Sequence, residues 1–163
     1  MRRKVISVVA FTGLMAFGWQ MNSVRAQAPA DAPTVTWQRD LQAAQKLSEQ
    51  SGRPMLIVFR ADWCAHCNRF EKETLGNPTM AECINRDFIP VRLDFDKEQK
   101  TAEILEVKAL PCTVILSPQA DLLGRVVGAK PPKDFWEALQ DAKDEHVRIH
   151  QARFASSESA ATR

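Results

Sequence analysis

Cys64 and Cys67 are separated by two residues, and His66 is one of them. Two thiols at this spacing on the first turn of a helix come close enough to bond. The apolar run Met55-Leu56-Ile57-Val58-Phe59 precedes the pair and Asn68-Arg69-Phe70-Glu71 follows it. The cysteines therefore fall where a buried strand hands over to a helix. That places Cys64 at the helix start, where free N–H groups and the macrodipole favour a thiolate. A stabilised thiolate is the nucleophile that disulfide exchange needs. In such chemistry Cys64 attacks a disulfide to form a mixed disulfide, and Cys67 then attacks that bond and closes the Cys64–Cys67 pair.

Positive charge on His66 would favour the Cys64 thiolate and hence the reduced form. The expected potential is then above that of a strongly reducing dithiol, roughly −230 to −150 mV. Glu71 is four residues after Cys67 and seven after Cys64, on the same helical face. The same side chains admit other chemistry. Cys64, Cys67 and His66 are soft ligands for a metal-binding module, and the two cysteines alone could be a structural disulfide or half of a zinc site. Cys83 and Cys112 form no second close pair, which weakens a four-cysteine zinc site. His146 and His150, four apart near the last helix, read as solvent-facing.

The elements that must hold these groups follow from periodicity. Trp37, Leu41, Ala44 and Leu47 lie on one helical face, with Gly52 as the stop. Met55–Phe59 is apolar on both alternate faces, as in a covered parallel sheet. A helix runs from about Cys64 to Leu75, and Asn77-Pro78 opens another, with Met80, Cys83 and Ile84 on its apolar side. Ile89–Phe95 alternates as a strand, Thr101–Lys108 is a short helix, and Thr113–Leu116 and Leu122–Val127 pair as a hairpin. Residues 133–142 form a helix with Phe135, Trp136 and Leu139 inward. The order of elements argues an α/β fold with a mixed sheet and helices on both faces.

At the N-terminus, Arg2, Arg3 and Lys4 precede the apolar stretch Val5–Trp19, and Val24-Arg25-Ala26 offers a cleavage site. This is the pattern of a Sec-type signal peptide over residues 1–26, with an uncleaved membrane anchor as the alternative, and it places the protein in the periplasm or outside the cell. Cleavage would remove four basic residues and no acidic ones, leaving 18 basic against 20 acidic, a net −2. The basic pI thus belongs to the precursor and gives no reason to invoke nucleic acid. Residues 27–36 read as a flexible leader, 37–143 as one domain, and 144–163 as a helix extension with a disordered tail over the final ten residues. Export puts the four cysteines in an oxidising compartment.

Ala61-Asp62-Trp63-Cys64-x-x-Cys67, the Leu110-Pro111 pair before a strand, and Val127-Gly128-Ala129 resemble the thioredoxin fold over residues 37–142. Ala61-Asp62-Trp63-Cys64 and Phe70-Glu71-Lys72-x-Thr74 are similar, more narrowly, to the C-terminal domain of the thiol:disulfide interchange protein DsbD and to secreted thioredoxin-family proteins. The resemblance implies an α/β thioredoxin fold and a protein disulfide oxidoreductase acting on protein thiols and disulfides as a monomer. It needs no cofactor, because the electrons reside on Cys64 and Cys67. It also implies a membrane electron donor, whereas His66 points toward oxidase or isomerase work.

At single positions the resemblance assigns roles. Pro111 matches the fold's cis-proline, with the Leu110 backbone exposed to pair with an extended substrate. A redox-inert peptide-binding scaffold beside Pro111 is the other reading of this feature. Trp63 covers the active-site disulfide, and Glu71 helps move the proton on the second cysteine. Relatives carry a further acid six residues before the first cysteine, where this chain has Val58. Cys112 stands where relatives often have Thr. It and Cys83 read as small buried residues, with a Cys83–Cys112 disulfide as the alternative.

Overall fold

Capping residues set several helix limits in the computed structural model, which describes residues 32–161. The expected signal peptide and the first part of the leader lie outside the described residues. Asp40 caps α1 (Leu41–Ser51) by accepting the Ala43 N–H at 2.7 Å, and Gly52 ends it at φ 70°. This cap excludes Trp37 from the helix it was expected to join. Trp37 lies instead in an extended stretch and packs at the edge of the core beneath the Arg92 guanidinium, 5.8 Å from its ring. Ala44 and Ser48 fill the inward face of α1, and Leu47 is partly exposed.

The expected flexible leader is tied down within the described residues. Asn85 accepts the Thr36 N–H and donates to the Thr34 carbonyl, and Gln38 bridges to β2 through Gln38 N–H to Pro90 and Arg92 N–H to Gln38. Asn85 is a long-range partner that local composition does not reveal.

The sheet contains β1 (Met55–Arg60), β2 (Ile89–Asp94), β3 (Cys112–Leu116) and β4 (Leu122–Val127) in the order β2-β1-β3-β4. β1 and β2 are parallel, and the other neighbours are antiparallel. Alternation along β1 divides the core into two layers. Leu56 and Val58 face the layer with Phe70, Leu75, Ile84, Phe135 and Leu139, whereas Met55, Ile57 and Phe59 face Ala44, Ala102, Cys112 and Val114. Phe70 and Phe135 meet edge to face at 5.1 Å, which fixes the cysteine helix against the last helix.

The helix after the cysteines has two parts: α2 (Ala65–Phe70) continues into a π turn over Glu71–Leu75. The extra residue in that turn brings both Thr74 and Leu75 inward. Leu75 joins the core, and the Thr74 hydroxyl donates to the Lys130 carbonyl at 2.6 Å. Gly76 ends the turn where an added Cβ would lie 2.9 Å from the Lys72 carbonyl oxygen. Asn77 then caps α3 (Pro78–Asp87) through the Met80 N–H.

Two later helices depart from expectation. α4 spans Gln99–Ile104, shorter than expected, because Glu106 takes a positive φ of 51° and the Val107 N–H turns back to the Ala102 carbonyl. Ile104 is consequently exposed. α5 runs from Pro132 to Ala161, so helix continues where a disordered tail was expected. Its later turns contain no Gly or Pro, and Arg153 pairs with Asp121 at 2.6 Å. Phe135 and Leu139 point inward as expected, but Trp136 stays partly exposed. Lys143 of α5 reaches Asp87 at the end of α3 at 2.7 Å.

Candidate active site

The strand–helix junction is built by β1, the turn Ala61–Trp63 and α2. Cys64 is the residue that caps α2. Its Sγ accepts the Cys67 N–H at 3.1 Å, and its carbonyl accepts the N–H groups of both Cys67 and Asn68. A backbone N–H aimed at a sulfur stabilises negative charge there when the bond is reduced. Cys64 and Cys67 are joined in a disulfide, with Cα atoms 5.3 Å apart. Cys64 retains 6% exposure and Cys67 only 1%. The cysteine expected to attack is thus the more exposed of the two. Ala61 and Leu110 pack against the pair.

Leu110 arrives from the loop before β3. The Leu110–Pro111 peptide is cis, and the Pro111 carbonyl accepts the Gly128 N–H at 2.8 Å. That bond links the loop to the Val127-Gly128-Ala129 segment. His66 is exposed on the second residue of α2. Trp63 is 68% exposed, and its indole N–H donates to Asp96 at 2.8 Å, in the loop after β2. Among the described residues no group of three or more His, Cys, Asp or Glu side chains converges as a metal site. No helix among them is long and apolar enough to cross a membrane.

Glu71 does not stand alone on its helical face. Its Oε1 lies 3.0 Å from Arg60 Nε and 3.9 Å from Arg92 Nη1. The 3.0 Å approach lies off the hydrogen-bonding direction, so it is a charge contact between two atoms shielded from water. Arg60 also donates from Nη1 to Asp62 Oδ1 at 2.7 Å and from Nη2 to Asn68 Oδ1 at 3.1 Å. Arg60, Asp62, Glu71, Arg92 and Asp94 line a polar cavity of about 430 Å³ beside the junction. Val58, where relatives would place an acid, is 1% exposed and packs in the core layer with Phe70. Sequence reasoning missed Arg60 and Asn68. The one available signal was a charged residue ending an otherwise apolar strand.

The other two cysteines are free thiols, both buried. Burial pushes the Cys112 thiol up, against a smaller opposing effect of Arg125. Burial also pushes Cys83 up, and the nearby Asp87 carboxylate adds to the shift. The Arg86 hydrogen bond, aided by Lys143, holds the Asp87 carboxyl well below the usual carboxylate range.

A family model described as thioredoxin-like matches residues 36–118. The thiol:disulfide interchange protein DsbD of Salmonella paratyphi A is 33% identical over 135 residues, which cover 81% of this chain and 22% of that protein. The chain spans about a fifth of the length of the curated relatives it matches. Among solved structures, one described as DsbH oxidoreductase aligns with a TM-score of 0.62 at 18% identity, over 73% of this chain and 91% of the other. A thioredoxin from Thermus thermophilus aligns at 0.60 with 23% identity, over 66% and 85%. Similarity at this level of identity establishes the fold.

Proposed function

The chain belongs to the thioredoxin-like family, and on that premise we propose that it is an exported thiol–disulfide oxidoreductase acting on protein thiols and disulfides. The observation that carries the proposal is the Cys64–Cys67 disulfide at the helix start, with the Cys67 N–H directed at Cys64 Sγ. In the reducing direction the Cys64 thiolate attacks a substrate disulfide. A Cys64–substrate bond forms, and one substrate thiolate leaves. Cys67 loses its proton and attacks Cys64 Sγ, the Cys64–Cys67 bond forms, and the second substrate thiolate leaves. The oxidising direction is the same sequence reversed.

His66 is assigned to favour the Cys64 thiolate, which supports a potential of roughly −230 to −150 mV. Glu71 is assigned to the Cys67 proton, as a carboxylate already positioned by Arg60. Trp63, Leu110 and Pro111 form the substrate-binding side. The exposed Trp63 ring and the packing of Leu110 on the disulfide support that assignment. The setting is the periplasm or the cell exterior, supported by the basic and apolar pattern of residues 1–26. A membrane electron donor would supply the reducing direction.

The test is paired. Insulin reduction and dithiol oxidation are measured for the chain and for a Cys64→Ser/Cys67→Ser variant. The expected result is catalysis by the chain alone; equal rates for the two would overturn the reading. A Cys67→Ser variant should accumulate mixed disulfides on Cys64, and these identify the partners.

A further inference from the structure

Arg60 ends β1, and its side chain makes contacts that lie on both sides of the cysteine pair. Asp62, two residues before Cys64, accepts from Nη1 at 2.7 Å, and Asn68, immediately after Cys67, accepts from Nη2 at 3.1 Å. Glu71 in the π turn approaches Nε at 3.0 Å. Asp62, Asn68 and Glu71 belong to three successive pieces of chain: the turn, α2 and the π turn. One planar guanidinium therefore joins the strand end to all of them, a geometry that a single ammonium cannot reproduce.

The clamp itself is held. The Arg60 carbonyl accepts the Phe95 N–H at 2.8 Å, which fixes the residue to the end of β2, and the Arg60 side chain is only 21% exposed. Arg92, paired with Val58 across the sheet, lies 3.9 Å from the same Glu71 oxygen. The network is thus anchored to the sheet rather than to solvent-exposed side chains alone.

We infer that Arg60 is a positioning residue for the closing step of disulfide exchange. This rests on the exchange reading above. The segment Asp62–Asn68 carries both sulfurs, and the guanidinium holds its two ends. Attack by Cys64 on an incoming disulfide depends on its exposure and thiolate character, and the Cys67 N–H supports the thiolate. Closure depends instead on Cys67 Sγ reaching Cys64 Sγ, and that intramolecular advantage is lost when the segment loosens.

Dithiobis(nitrobenzoate), a symmetrical aromatic disulfide, separates the two steps. Attack by Cys64 breaks its sulfur–sulfur bond, forms a mixed disulfide and releases one coloured thiolate. Attack by Cys67, with its proton passing by way of Glu71 to solvent, forms the Cys64–Cys67 bond and releases the second. Stopped-flow mixing of the reduced full chain should show both releases. Arg60→Met should slow the second about tenfold and leave the first within about twofold. Arg60→Lys should restore little of the loss. Asn68→Ala, an exposed substitution that tests one arm without threatening the fold, should slow the second release about threefold.

An unchanged second release in Arg60→Met or in Asn68→Ala overturns the inference. So does equal slowing of both releases, which would mean general loosening. Absence of the second release in the unmodified chain overturns the exchange reading itself, a distinct result.

Discussion

Cys64 begins a helix with a backbone N–H directed at its sulfur, whereas Cys112 lies within the sheet among aliphatic side chains. Both belong to one protein, and Cys112 follows directly on the Leu110–Pro111 peptide, whose leucine packs against the Cys64–Cys67 pair. One is set up to carry negative charge, and the other is set up to stay neutral, because burial raises its thiol. Cys83 repeats the second condition on α3, where the Asp87 carboxylate adds to the effect of burial. Thiol chemistry in this chain is thus decided by the backbone and solvent around each sulfur rather than by the number of cysteines.

The largest expected effect separates the two groups directly. Cys64→Ser should lower exchange turnover by roughly a thousandfold or more. Cys83→Ala and Cys112→Ala should leave turnover within about twofold, at a cost in stability on the order of 1 kcal/mol from lost packing. Comparable losses of turnover in all three variants would erase the distinction.

Alkylation gives the next contrast. In the reduced native chain at neutral pH, iodoacetamide should modify Cys64 at least about a hundredfold faster than Cys83 or Cys112, which become reactive only on unfolding. Peptide mass spectrometry after timed quenching reads this, and early label on Cys112 would break the comparison.

Alkaline pH sharpens it further. Below the ordinary thiol pKa, near 8.5, folded and unfolded chains both keep these protons. Above it the unfolded chain releases them while buried Cys83 and Cys112 retain theirs, so folding stability should fall as pH rises. Urea midpoints for Cys112→Val should fall less steeply above that pH than those of the unmodified chain.

Asp87 gives the smallest effect and the opposite sign. Its carboxyl is depressed mainly by Arg86, so its contribution is present above the ordinary carboxylate pKa and is lost as pH falls through the folded value. Asp87→Asn should cost about 1 kcal/mol at neutral pH. The difference from the unmodified chain should shrink in urea titrations at strongly acid pH.

Beyond the α/β fold itself, what could be read from the sequence was local. Two cysteines at a strand–helix junction, Asn77-Pro78 at a helix start and Gly52 at a helix stop act within a few residues, and each acts where it was expected. The Arg60 network was hidden because its partners are two, eight and eleven residues away and meet only after strand and helix fold back. Trp37 has the right spacing for α1, but the Asp40 cap outranks that spacing. The π turn leaves no periodic mark in five residues, so Thr74 and Leu75 could not be placed on one side in advance. The Trp63–Asp96 bond spans 33 residues and depends on how the loop after β2 returns to the site.

The backbone bridge at Gln38 has a consequence for solution behaviour. A sheet ends in unpaired N–H and C=O groups, and such a rim is a template for pairing with another chain. Gln38 occupies part of that rim on β2, and Asn85 holds the preceding residues in place. These few residues act as a guard against intermolecular strand addition. Proteolytic trimming beyond Gln38 would therefore change the tendency to self-associate before it changed the chemistry of Cys64.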